Sequence, residues 1–369
     1  MKKQDVRREE MTTAPETHKV NNAQRWSNST TFALERLPLP YPLLAALVGV
    51  ITLAEQVLEY SFNDPTFRHL TAEAVARLFV LPIMTVYILI FLRILRGRAV
   101  KELERLRPTV LVSDEEYDNH VRRMFDADWR VELALLVISV AIIVGLFVLL
   151  RWELLSATSA LPAAWPAALF IVAVYVLFVW LLLSQVYCTV RHANGLRVMA
   201  LRPLDINVFN QDNLLPFGRL SLLHTLPSIG FILIPLLILG MPTQSGYVVI
   251  LLSLVGLLAF FVPLWGVHQQ IDQAKERVLA STYQQFTSIQ GALLQGTEAE
   301  MEDLDKLTGR IEKLIQLRKT IEASPEWPFR DSASFVRAIA AVVSPLLSFI
   351  LNEILQTYVM PILQILGAS

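Results

Sequence analysis

The sequence contains a single cysteine, Cys188, and comparatively few charged residues. One cysteine excludes both an intramolecular disulfide framework and a cysteine-rich zinc site. Charged residues make up 18% of the chain, whereas an ordinary soluble protein carries about 25%. The 32 Lys and Arg residues are balanced by 33 Asp and Glu residues, so the basic excess typical of nucleic-acid-binding proteins is missing. We therefore expect no nucleic-acid partner.

The signature motifs of common enzymes are also missing. The sequence contains no Gly-x-x-x-x-Gly-Lys, no Gly-x-Gly-x-x-Gly and no His-Glu-x-x-His, the motifs that bind phosphates, dinucleotides and catalytic zinc. Its six histidines are dispersed, and no two are four residues apart. We therefore expect no enzyme activity, no catalytic residues, no metal site and no cofactor.

Long apolar runs are what the sequence has instead. Apolar residues make up 54% of the chain, and residues 133–150, 154–190 and 225–267 carry no charge. A membrane helix needs about 20 predominantly apolar residues. The pattern predicts an all-α polytopic membrane protein with six to seven transmembrane helices and a cytoplasmic helical hairpin. Six spans are predicted near residues 41–62, 74–95, 131–150, 162–190, 222–239 and 247–267.

The rest of the chain divides around these spans. Residues 1–40 are polar and aperiodic, which is typical of a disordered tail. Residues 41–267 form the six-span domain, with loop helices near 93–130 and 191–221. Residues 268–330 have heptad-like apolar spacing on both sides of Gly296, which predicts an antiparallel coiled-coil hairpin. Residues 331–369 form a seventh apolar helix, which we expect to span the membrane.

The distribution of basic residues predicts the orientation, because Lys and Arg concentrate on the cytoplasmic side. With the N-terminus inside, all of the 32 Lys and Arg except Arg68, Arg77 and Arg151 lie in inside segments. We therefore expect a multi-pass protein of the plasma (inner) membrane, surrounded by lipid. Its N-terminus and hairpin are cytoplasmic, and its C-terminus lies outside.

Two local motifs lie in the loop segments. Ser113, followed by Glu116 three residues later, has the pattern of a helix capping box. Thr297, with Glu300, has the same pattern at the start of the second hairpin helix. The tripeptide Leu-Arg-Pro occurs at both 106–108 and 201–203, which indicates either a weak internal duplication or a coincidence in a leucine-rich chain.

Four segments carry a resemblance to a known family. They are residues 201–207 (Leu-Arg-Pro-Leu-Asp-Ile-Asn), 215–220 (Leu-Pro-Phe-Gly-Arg-Leu), 263–268 (Pro-Leu-Trp-Gly-Val-His) and 325–329 (Pro-Glu-Trp-Pro-Phe). From about residue 70 to 369, the chain resembles an uncharacterised family of prokaryotic multi-span membrane proteins. The resemblance implies several spans, a cytoplasmic helical hairpin, a Trp-Pro junction and an apolar C-terminus, but no activity. In topology alone, the layout is similar to insect odorant and gustatory receptors, which are seven-span cation channels with a pore lined by the last helix.

A polar stripe on the last apolar segment is the first candidate site. Ser344, Ser348, Asn352 and Gln356 recur every four residues, with Glu353 beside them. On a helix this spacing forms one gently drifting face, which would waste its hydrogen-bonding groups against lipid. Three interpretations stay open: hydrogen bonds between packed helices, a water-lined pore with Glu353 as a cation-selective ring, and an amphipathic helix on the membrane surface.

Two carboxylates in the first span are the second candidate. Glu55 and Glu59 lie one helical turn apart, and Arg77 at the outer end of the second span is the nearest cation in the topology. Ionisable residues at membrane depth are costly and often functional. These three residues predict an outer vestibule that attracts ions or protons, a structural ion pair between adjacent helices, or an outer helix end that is simply solvated.

Together these features favour a homo-oligomeric, cation-preferring ion channel lined by the last helix. Several copies are required because one helix cannot enclose water. A non-conducting membrane sensor or scaffold acting through the hairpin is the alternative, followed by a small-molecule transporter. The sequence does not identify the transported ion or the ligand.

Overall fold

Helices account for nearly all of the chain that the structure, a computed structural model, describes. The described residues are 40–63, 71–126, 128–157, 161–239, 246–295, 301–355 and 359. Residues 1–39 of the predicted N-terminal tail and the capping box at Thr297 lie outside them. The α-helices of the described residues are α1 (Tyr41–Asn63), α2 (Ala72–Leu106), α3 (Asp114–Phe125), α4 (Trp129–Ala157), α5 (Leu161–Ala200), α6 (Leu215–Leu239), α7 (Gly246–Gln295), α8 (Met301–Ala323) and α9 (Ser332–Ile354).

Six helices are long and apolar enough to cross a membrane, namely α1, α2, α4, α5, α6 and α7. This confirms the predicted all-α polytopic class and its six spans. Helix α4 is apolar on nearly all sides, and a smaller share of it is buried than of the other five helices. This is expected for a helix that faces lipid.

Helix α9 is the predicted seventh span. Its 23 residues give a length of about 34 Å, enough to cross a hydrocarbon core of about 30 Å. The apolar stretch found among its described residues, Ser332–Ser344, is shorter than the apolar stretches of the other six helices. The crossing of the membrane by α9 therefore stays a prediction.

Side-chain caps define where several helices begin. The hydroxyl of Ser113 accepts a hydrogen bond from the Glu116 N–H at 3.2 Å, which confirms that Ser113 caps α3. Thr71 caps α2 by accepting from the Ala74 N–H, and Asp331 caps α9 by accepting from the Ser334 N–H. Each cap satisfies one of the N–H groups that a helix leaves unpaired in its first turn.

By its internal contacts the chain divides into two units. The first contains residues 1–104, 113–195 and 230–245. In its described part, Tyr41 donates from its hydroxyl to the Leu89 carbonyl at 2.6 Å, which joins α1 to α2. The α1 residue Gly49 lies so close to α2 that an added Cβ would come within 2.7 Å of Val86. The phenol of Tyr117 in α3 donates to the Leu103 carbonyl of α2 at 2.6 Å.

The second unit contains residues 105–112, 196–229 and 246–369. Its core includes Phe217, Phe260 and Leu264, all fully buried. Helices α8 and α9 both pack on α7. The side chain of Gln270 in α7 donates to the Arg202 carbonyl at 2.8 Å, so that the segment after α5 is attached to α7.

The segments that contain the two Leu-Arg-Pro tripeptides contact each other within this second unit. Val110 and Leu204 form an isolated antiparallel bridge. The Leu111 N–H donates to the Pro203 carbonyl at 2.9 Å, and the Asp205 N–H donates to the Thr109 carbonyl at 2.8 Å. Their contact gives both segments a structural role, whether or not they arose by duplication.

Candidate functional site

The last helix, α9, has one side packed on its own chain. Ala338, Val342 and Phe349 are buried, with exposed fractions of 6%, 4% and 7%, and α9 packs on α7. Their spacings of four and seven residues place them on one side of the helix. This apolar side attaches α9 to the rest of the second unit.

The exposed surface of α9 divides into two sides of different chemistry. Val336, Leu347 and Ile354 are exposed by 62%, 52% and 45% and share an apolar side. Ser344 and Ser348 are exposed as well, but they lie about 100° around the helix from that apolar side. The helix therefore has a packed side, an apolar open side and a third side that carries the two serines, which we call the polar open side. The exposed Leu351 and Leu355 follow at the far end of this third side.

Ser344 and Ser348, two of the predicted stripe residues, lie on the polar open side. The hydroxyl of Ser344 donates to the Ala341 carbonyl of the same helix at 3.2 Å, which partly satisfies the hydroxyl locally. Because the described part of the chain leaves both side chains exposed, this side of α9 is open to lipid, to water or to a second copy of the chain.

The other three residues of this candidate site are only partly described. Asn352 and Glu353 belong to α9, but their side chains lie outside the described part of the chain. Gln356 lies outside it altogether. The helix continues past Ser348 to Ile354, so the backbone spacing on which the stripe depends extends at least to Glu353.

Arg337 is a residue on this side that our sequence reasoning missed. It precedes Ser344 by seven residues and Ser348 by eleven, which places it within about 20° of both on the helix. Its side chain is exposed, and its guanidinium donates to the Ser334 hydroxyl at 3.0 Å. The helical spacing was the signal that could have identified it. A cation therefore lies at the start of the polar open side.

The second candidate, in the first span, forms a chain of hydrogen bonds between α1 and α5. The amide of Gln56 donates to Glu55 Oε2 at 2.8 Å and to the Tyr175 hydroxyl at 3.5 Å. Tyr175 in turn donates to Glu59 Oε2 at 2.9 Å. The carboxyl groups of Glu55 and Glu59 lie close enough to interact. We call Glu55, Gln56, Glu59 and Tyr175 the carboxylate cluster.

Glu55 is the most enclosed member of the carboxylate cluster. Its side chain is fully buried, and Glu55 Oε1 has no hydrogen-bond donor among the described residues. A buried carboxylate oxygen is satisfied by a shared proton or by a cation, since leaving it bare is costly. Arg77, the cation expected beside these carboxylates, is exposed near the start of α2. Sequence reasoning missed Gln56 and Tyr175, because no local pattern tells which residue of another helix faces α1.

Among the described residues, no group of three His, Cys, Asp or Glu side chains is arranged to hold a metal ion. No protein-family model, curated protein or solved structure matches the chain. The fold itself defines the class of this protein: an all-α, multi-pass membrane protein with six helices able to span the bilayer.

Proposed function

We propose that the chain is one subunit of a homo-oligomeric, cation-preferring ion channel in which α9 lines the pore. The observation that carries this proposal is the three-sided surface of α9. One side is buried on α7, one exposed side is apolar and suits lipid, and one exposed side carries Ser344 and Ser348. Hydroxyl groups gain little from lipid contact, whereas they suit a water-filled path.

The same side of α9 suits contact between copies of the chain. Ala341, Ser344 and Ser348 are exposed and small, and small residues let membrane helices approach closely. One α9 cannot enclose water, so several copies with their polar open sides turned toward a common axis are required. The apolar open side then faces lipid or a neighbouring subunit.

The charge preference of such a pore depends on its two ends. Glu353 lies near the end of α9, about 140° around the helix from Ser348, so a ring of its carboxylates from several subunits would surround the mouth of the pore rather than line it. At the mouth such a ring attracts cations and repels anions. Arg337 lies near the start of α9, where a ring of guanidinium groups opposes cation entry. The preference for cations therefore rests on Glu353, and Arg337 limits the size of the current.

Reconstitution into planar bilayers tests the pore assignment. Ser344→Leu, which places an apolar side chain on the polar open side, is expected to lower the unitary conductance severalfold. Ser281→Leu in α7 is the matched control, because Ser281 is also exposed and also donates to the carbonyl three residues before it, that of Val278, at 2.8 Å. Equal conductance in the parent and both variants would exclude α9 as the pore lining.

Two charge variants test the assignment of selectivity. Glu353→Gln is expected to lower the permeability ratio of cations to anions, measured from the reversal potential under a salt gradient. Arg337→Gln is expected to raise the cation conductance, because it removes a positive ring from the pore entrance. If neither substitution alters the reversal potential or the conductance, both residues lie outside the conduction path.

The carboxylate cluster favours a transporter as the second candidate. Carboxyl groups held between membrane helices are typical of proton and ion coupling sites, and Glu55 Oε1 has no donor among the described residues. Transport would be supported over conduction if proteoliposomes take up protons without showing unitary currents. Glu55→Gln should then abolish the proton uptake. A folded, inserted protein that moves neither ions nor protons would support the sensor or scaffold.

A further inference from the structure

A cleft in the second unit, separate from α9's polar open side, is large enough for a small molecule and is lined by both apolar and basic side chains. Its volume is about 570 Å³, within the range of about 300–1,000 Å³ typical of small-molecule sites. It lies between the segment that precedes α6, the end of α8 and the junction before α9. We call it the junction cleft.

The junction cleft combines an apolar wall with two cations. Phe209, Leu215 and Phe329 supply apolar surface, and Lys319 and Arg330 are its basic residues. Asp212 is the acidic residue among those lining it, so the cleft carries a net positive charge. This combination suits a molecule with an anionic group at one end and an apolar part at the other.

Gln211 adds a polar group in the wall that requires a partner. It is 9% exposed, and its Nε2 donates to the Pro325 carbonyl at 2.7 Å. Its Oε1 is buried and has no donor among the described residues. Gln211 lines the cleft, so a small shift of its side chain would expose this oxygen to an occupant that carries a hydroxyl group, whereas a fully ionised phosphate has no proton to donate to it.

The position of the cleft along the chain indicates the membrane interface. Asp212 stands just before the spanning helix α6, and Arg330 stands just before α9. The ring of Trp327 beside the cleft stacks on Phe335 at 4.7 Å, and Trp265, exposed by 56%, lies 6.5 Å from it, centroid to centroid. Aromatic residues are enriched at the level of the lipid head groups.

From these observations we propose that the junction cleft binds the phosphate-bearing, hydroxylated head group of an anionic phospholipid. Lys319 and Arg330 attract the phosphate, Gln211 accepts from a head-group hydroxyl, and Phe209 with its apolar neighbours contacts the start of the acyl chains. The basic segments of this face predict the cytoplasmic leaflet, where anionic lipids are abundant. This site is independent of the proposed channel, since it requires neither conduction nor α9's polar open side.

Retention of lipid by the purified full chain, measured by native mass spectrometry, tests the proposal. The chain is expected to retain phosphatidylglycerol in preference to phosphatidylcholine. The double variant Lys319→Gln/Arg330→Gln is expected to lower that affinity about fivefold for each charge removed. The double variant Arg310→Gln/Lys313→Gln is the matched control, because these two cations are exposed on the same helix and do not line the cleft.

A second variant tests the cleft without changing its charge. Ala323 lines the cleft and is exposed, so Ala323→Trp is expected to fill the space and to lower phosphatidylglycerol retention without unfolding the chain. Equal retention by the parent, the charge variant and Ala323→Trp would overturn the proposal. Binding of glycerol phosphate as tight as that of phosphatidylglycerol would also overturn it, by assigning the cleft to a soluble phosphate compound.

Discussion

At the scale of single residues, the junction between α8 and α9 is held by stacked rings. Trp327 stacks on His268 at 4.4 Å with an interplanar angle of 4° and on Phe335 at 4.7 Å. His268 Nδ1 lies 2.8 Å from the Glu326 carbonyl. The ring of Trp327 thus joins α7 on one face and α9 on the other, which fixes the junction between α8 and α9.

Asp331, which begins α9 after this junction, makes the first turn of that helix sensitive to pH. Hydrogen bonds from the Ser334 hydroxyl and N–H hold the pKa of Asp331 below its ordinary value of 3.8. A lowered folded-state pKa stabilises the helix start above pH 3.8, and this contribution is lost as the pH falls through the folded-state value. Hydrogen exchange, corrected for its intrinsic rate, is therefore expected to accelerate in this turn below pH 3.8.

Two variants separate the charge of Asp331 from its capping role. Asp331→Asn keeps an acceptor at the cap, so the exchange rate in this turn is expected to stay slow and to lose its dependence on pH. Asp331→Ala removes the acceptor and is expected to accelerate hydrogen exchange in the turn at every pH. An acceleration at low pH that persists in Asp331→Asn would show that another group titrates there.

At the scale of helices, apolar runs predicted the spans well but not the full helix lengths. The second span was expected at 74–95, and α2 extends to Leu106. The sixth was expected at 247–267, and α7 extends to Gln295, a continuation that the heptad-like spacing after residue 268 predicted and hydropathy did not. Both helices continue where charged residues begin, because hydropathy marks the part of a helix that suits lipid and leaves its polar continuation unmarked.

Helix α8 packs on α7, and among the described residues of α8 Ile321 is the fully buried one. Ile321→Asp places a charge in that contact and is expected to cost about 3–5 kcal/mol of folding free energy. Trypsin cleavage within α8 in detergent should then become faster. Ile315→Asp is the control, since Ile315 is 44% exposed; equal cleavage of both variants would contradict the packing of α8 through Ile321.

The stripe on α9 was predictable from the sequence, whereas the surroundings of the stripe were not. Four-residue spacing is enough to place Ser344 and Ser348 on one side of a helix. Which side α7 covers depends on Phe349 and Val342 finding partners far away in the sequence, and periodicity carries no such information. Gln211 and Tyr175 were missed for the same reason, since their roles come from long-range contacts.

At the scale of the whole molecule, the distribution of basic residues makes a prediction about orientation. In a chain with Cys188 replaced by Ala, a cysteine at position 244 is expected to react with an impermeant reagent from outside. A cysteine at position 300 is expected to react from inside only, because Lys and Arg concentrate on that side. The reverse pattern would invert the topology, and reaction of position 369 from inside would remove the seventh span while leaving the other six.

Modification of a cysteine placed on the polar open side of α9, during current recording, tests the central claim most directly. Cys188 is the sole cysteine and is buried, so Ser348→Cys in the Cys188→Ala chain adds one reactive thiol. Leu347→Cys is the control at the same depth, because Leu347 lies on the apolar open side. A charged methanethiosulfonate is expected to reduce the current through Ser348→Cys and to leave Leu347→Cys unchanged. Current that the reagent leaves unchanged in Ser348→Cys, or reduces equally in both variants, would contradict a pore lined by α9.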